Sequence, residues 1–89
     1  MARTQATTHE TSEITGAGGT PDALFELGLM HCAGREGALD LVNAHKWFNL
    51  AAMRGNEAAK RYRMEISGEM SRSEIAEAQR LAREWLARH

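Results

Sequence analysis

Between Asp40 and Asn56 the chain reads DLVNAHKWFNLAAMRGN, and Leu41, Ala44, Phe48, Ala51 and Ala52 recur at steps of three and four. That spacing predicts a helix with an apolar stripe, which Trp47 widens on its shoulder. Asp40 can accept from the free amides of the first turn, and Gly55 can end the helix in the left-handed conformation. Asn56 is then placed to cap the next helix. The alanines admit close neighbouring backbones and the rings fill the gaps between them. Such a helix is built to be covered over most of its circumference.

The flanking segments read in the same way. Thr20-Pro21-Asp22 is a helix start, with a capping hydroxyl, proline at the first helical position and an acid near the dipole. The helix it opens is expected to run to about Ala33. Ala23, Leu27 and Met30 line one face, with Leu24 and His31 beside them, and Phe25, Leu29 and Cys32 line nearly the opposite face. A helix apolar on both sides needs cover on both sides. Gly34 to Leu39 has the length of a turn between antiparallel helices. A third helix follows, with Ala58, Ala59, Tyr62 and Ile66 as its stripe, Lys60, Arg61 and Arg63 as its solvated side, and Gly68 at its end. Ser71-Arg72-Ser73-Glu74 is a capping box, and Met70 and Ile75 stand at its staple positions. The fourth helix carries Ile75, Ala78, Ala82, Trp85 and Leu86 on one face and mixed charges on the other. No stretch alternates as a strand does. The expected fold is therefore all-α, with about four helices over residues 21–33, 41–54, 57–67 and 72–88.

Composition narrows the picture. Residues 1–19 are rich in Thr, Gly and Ala, with Ile14 as the exception, so they are expected to form a flexible tail or linker. The alternative is a short recognition segment that orders on a partner. That leaves 20–89 as the domain, a size at which a core is marginal without a partner or very regular packing. The net charge is -1 with signs interspersed, which argues against a nucleic-acid footprint. Arg72, Arg80, Arg83 and Arg88 are interleaved with Glu74, Glu77 and Glu84 in the same sense. Cys32 is the only cysteine, so neither an internal disulfide nor a four-thiolate metal site is available. No apolar run approaches the ~20 residues of a membrane span, and the first residues lack the apolar stretch of a secretory signal. The expectation is a cytoplasmic protein with no cofactor.

Ala23 to Ala59 resembles a Sel1-like repeat, a helix-turn-helix unit related to tetratricopeptide repeats. The resemblance rests on Ala23, on Leu27-Gly28-Leu29-Met30, on the turn from Gly34 to Asp40, and on Ala44, Trp47, Phe48, Ala51 and Ala52, completed by Gly55, Ala58 and Ala59. Two positions depart from the family pattern. His31-Cys32 stand where aromatic residues are usual, and the second turn glycine, Gly37, sits one place late. The helix from Ile75 to Trp85 is similar to the end helix that follows such repeats in some bacterial proteins. The resemblance implies a short α-solenoid of helix hairpins acting as an adaptor or scaffold, with a protein partner or a second copy of the chain as its ligand.

Stacked hairpins expose faces to partners and need neighbours to hide their ends. Nothing evident in the sequence caps the first helix, which makes Phe25, Leu29 and Cys32 the first candidate contact surface. The alternative is that the last helix folds back over this face. Leu50 and Met53 are a second candidate, on an otherwise polar side with Asn43, Lys46 and Asn49, although isolated apolar surface residues are ordinary. A different class of function, metal binding or hydrolysis, would use His31, Cys32 and His45, which antiparallel helices can bring together near their turn. No orienting carboxylate or phosphate loop accompanies them, and a packed histidine and a small buried cysteine are the commoner roles. No enzymatic activity is expected.

Overall fold

A computed structural model describes residues 19–34 and 40–89. Four helices follow in order: α1 (Pro21–Cys32), α2 (Leu41–Met53), α3 (Glu57–Ser67) and α4 (Arg72–Arg88), with no strand among the described residues. The expected starts hold, and α1 and α2 each end one residue early, with Ala33 and Arg54 as caps. Each N-terminus is closed by the side chain that the sequence placed there. Thr20 accepts from the Ala23 amide, Asp40 from Asn43, Asn56 from Ala59 and Ser71 from Glu74. Glu74 returns a carboxylate to the Ser71 amide at 2.8 Å, completing the capping box. Gly55 takes φ +108 after α2, whereas Gly68 ends α3 in a right-handed conformation at φ -67.

The helices are organised around α2, and α1, α3 and α4 each pack on it. The 100° step of a helix gives it a separate face for each neighbour. Ala44, Phe48 and Ala51 turn towards α1, His45 and Asn49 towards α3, and Trp47, Leu50 and Lys46 towards α4. Seven of its residues are buried, from Ala44 to Ala52. On the α1 side the approach is set by Gly28, which lies against the Phe48 ring. On the α4 side the rings of Trp47 and Trp85 meet edge to face at 6.1 Å. Asn49 and Arg63, then His45 and Ser67, pair across α2 and α3 in a falling register, so these helices run antiparallel. Asp22 with Asn56, then Phe25 with Tyr62, pair in a rising register, so α1 and α3 run side by side in one direction. This is the packing of a helical repeat or bundle.

The core consists chiefly of Leu24, Ala44, Phe48, Leu50, Ala51, Ala59 and Trp85, with Phe25, Leu29 and Cys32 packed partly against it. The tail expected for residues 1–19 lies outside the described residues except for Gly19. That residue is buried, and its carbonyl accepts from Arg54 Nη1 at 3.0 Å. The turn expected from Gly34 to Leu39 is described only at Gly34, so the placement of Gly37 is outside it.

Candidate interaction surface

Leu24 and Gly28 set the buried side of α1, and Phe25, Leu29 and Cys32 follow on its flank towards α3. All three are half-buried. What leans on Phe25 is α3, while α4 packs on α2. The Phe25 ring meets Tyr62 edge-on at 5.3 Å and Phe48 at 5.7 Å, and Phe48 and Tyr62 lie 5.4 Å apart. These are separations at which tilted aromatic pairs attract. Phe48 is fully buried at the base of this triangle, and Tyr62 is 37% exposed at its rim. Asp22, Glu26 and Met30 continue the open side of α1. The result is an aromatic cluster with one side in solvent.

α3 is tied down so that Tyr62 reaches this position. Its Asn56 cap donates to Asp22 at 3.2 Å, linking the starts of α1 and α3. Arg63 Nη1 donates to Asn49 Oδ1 at 2.7 Å, and His45 Nε2 lies 3.0 Å from Ser67 Oγ. His45 is 3% exposed, and its Nδ1 has no hydrogen-bond partner. Burial, and after it the Arg63 guanidinium, push its imidazole below the usual histidine range.

Leu50 does not belong to any surface. The sequence pattern sets it with Met53 on a polar side of α2, but it is fully buried while Met53 is 58% exposed. On the helix circumference Leu50 falls between Trp47 and Lys46, the side that α4 covers. A shallow cleft of about 110 Å³ remains there, lined by Lys46, Leu81, Glu84, Trp85, Arg88 and His89. Lys46 is half-buried with its ammonium 4.1 Å from the Trp47 ring centre, and desolvation lowers its pKa against the pull of Glu84. Lys46 looked like a solvated charge in sequence. In the fold its stem is part of the packing and only its head is polar.

His31, Cys32 and His45 take separate roles. His31 Nδ1 lies 3.9 Å from Asp40 Oδ2, while His45 faces Ser67 on α3. Among the described residues no group of three or more His, Cys, Asp or Glu side chains is placed to hold a metal ion. Asp40 itself is held below the usual carboxylate range, first by the Asn43 side chain donating at 2.8 Å. No helix among the described residues is long and apolar enough to cross a membrane.

Sequence reading missed Tyr62 as a surface residue by assigning it to the core stripe of α3. The available signal was its chemistry. A ring with a polar tip, set between Arg61 and Arg63, suits the edge of a stripe better than its centre.

The described residues form an all-helical module of four helices with an exposed aromatic cluster, an arrangement consistent with a protein-interaction helical bundle. No family model, no curated protein and no solved structure matches the chain.

Proposed function

We propose that this protein is a non-enzymatic interaction module of the Sel1-like repeat type, working as an adaptor or scaffold. It binds a protein partner, or pairs with a second copy of itself, through the flank of α1 formed by Phe25, Leu29 and Cys32. Tyr62 of α3 extends that surface, and Met53 lies outside it. The observation that carries the reading is the half-open triangle of Phe25, Phe48 and Tyr62, in which the exposed ring rests on two others. Aromatic side chains at a rim with an apolar base are the usual anchors of protein interfaces, since they bury much area with few rotatable bonds. The side-by-side course of α1 and α3 supports the repeat-type reading. In stacked hairpins, helices so arranged line one continuous binding face.

The test compares wild type with Tyr62→Glu in sedimentation over a range of concentrations, and in capture of proteins from the source cells. The expected result is an association, with itself or with one partner, that the carboxylate abolishes while the helical circular dichroism is kept. A wild-type protein that stays monomeric and captures nothing that Tyr62→Glu does not would overturn the reading.

A further inference from the structure

The ring cluster has a charged border, and the sign of that border selects what can cover it. On α1, Asp22 and Leu29 stand about one turn either side of Phe25, so the three share a flank of the helix. On α3, Glu65 follows Tyr62 by one turn and shares its flank in the same way. Asp22 and Glu65 are both exposed, and neither makes an ion pair among the described residues. Asp22 Oδ1 accepts from the Asn56 side chain at 3.2 Å, a neutral donor that leaves the charge of the carboxylate whole.

Further out stand Glu26 on α1 and Arg61 on α3, one of each sign and both exposed. The other cations of α3 are engaged away from the rings. Lys60 lies 3.5 Å from Glu57, and Arg63 donates to Asn49 on α2. α1 itself contains no Lys or Arg. The border next to the rings is therefore acidic. Asp22 lies beside Asn56 and Phe25 beside Tyr62, which sets Glu65 level with about Leu29. The two carboxylates thus bracket the rings at a separation of roughly 10 Å along the helices, at about 1.5 Å per residue.

A second copy of the chain would present the same two acids. In a two-fold pairing the face meets its own image, so Asp22 and Glu65 would lose water against apolar groups or like charges, with only the outlying Arg61 of opposite sign. A partner with a cation at each end of an apolar anchor meets both carboxylates with opposite charge. Two cations roughly 10 Å apart are two turns apart on a helix, with apolar residues one turn in from each. We infer that the face of Phe25, Leu29 and Tyr62 takes a basic amphipathic helix of another protein, not a second copy of this chain. The apolar side of that helix rests on the rings, and its Lys or Arg residues pair with Asp22 and Glu65. The inference rests on the reading of the ring cluster as the interaction surface, and it narrows the ligand of that surface to one chemistry.

The experiment uses two synthetic helical peptides with the same apolar stripe, Leu at positions i+3 and i+4. They differ only in carrying Lys or Glu at i and i+7. NMR titration of the full chain reads both affinity and location. The Lys peptide should bind about tenfold more tightly than the Glu peptide, with shifts at Phe25, Leu29 and Tyr62. The preference should fade at high salt, and it should vanish when Asp22→Asn and Glu65→Gln are combined. Both substitutions are isosteric and exposed, and Asn at 22 keeps an acceptor for Asn56. Equal binding of the two peptides at the rings would overturn the inference and leave the surface reading standing. So would a wild-type dimer that Tyr62→Glu dissolves. Shifts confined to other residues, no binding of either peptide, or a preference that survives in the double substitution would overturn it as well.

Discussion

Gly28 and Phe48 occupy one position in space that only a glycine permits. A Cβ on Gly28 would stand 2.4 Å from Cε1 of the Phe48 ring, and that ring is fully buried, so it has nowhere to move. Gly28→Ala gains roughly 1 kcal/mol of helix propensity. It adds overpacking of about 1–3 kcal/mol. The expected outcome is a net loss of up to about 2 kcal/mol, read as a lower melting temperature. Phe48→Leu made in the same protein should recover part of it. A Gly28→Ala protein more stable than wild type would show that the two helices do not meet here.

Trp47 is the contact of α2 with α4, set edge to face on Trp85. Trp47→Ala should cost ~3–5 kcal/mol, a large share of the stability of so small a domain. A double-mutant cycle with Trp85→Ala should return a coupling of about 0.5–1.5 kcal/mol. Chemical denaturation measures both. Losses from the two substitutions that simply add would mean that the rings do not interact.

Stability should fall on acidification in two separate windows. His45 has a depressed folded pKa, so the unfolded chain binds the proton more tightly. Stability then declines as the pH drops below the ordinary value of 6.5, until the folded pKa is passed. Asp40 is a depressed carboxylate, so its cap contributes fully above the ordinary value of 3.8 and is lost as the pH falls through the lower folded value. His45→Gln should flatten the first window and Asp40→Asn the second. Denaturation midpoints measured against pH report both, and a profile unchanged by either substitution would contradict the assignment.

Gly19 is the first of the described residues. Its φ is +53, and a Cβ there would lie 2.6 Å from Cη2 of Trp85. Gly19→Ala should therefore cost about 1–2 kcal/mol from the backbone conformation alone. Deleting residues 1–18, which offer little apolar surface, should leave the melting temperature nearly unchanged. Extending the deletion through Gly19 removes the carbonyl that Arg54 holds and should lower it. Thermal unfolding of the three proteins separates these cases.

The helices were legible because each start has a side chain with one good use. Thr20, Asp40, Asn56 and Ser71 can close a first turn from local geometry alone. The circumference of α2 was legible in the alternation of rings and alanines, but not which neighbour each face would meet. Leu50 shows why. Its sequence neighbours Asn49 and Lys46 made its side look solvated, and only the position of α4 buries it. Tyr62 fails in the opposite direction, since a place on an apolar stripe does not reveal where the cover of that stripe ends. His45 is polar by type and buried by its partner Ser67, a contact across 22 positions that no local pattern encodes.

Substitution of Tyr62 tests the central claim most directly, that the ring cluster is an interaction surface rather than core. Tyr62 is 37% exposed, so Tyr62→Glu should keep the helical circular dichroism and unfold cooperatively near the wild-type midpoint. Sedimentation velocity over a range of concentrations, with the captured partner present and absent, should show the wild-type complex or dimer and only monomer for the variant. A variant that is folded and associates like wild type would contradict the claim, and one that loses its helix signal would place Tyr62 in the core instead.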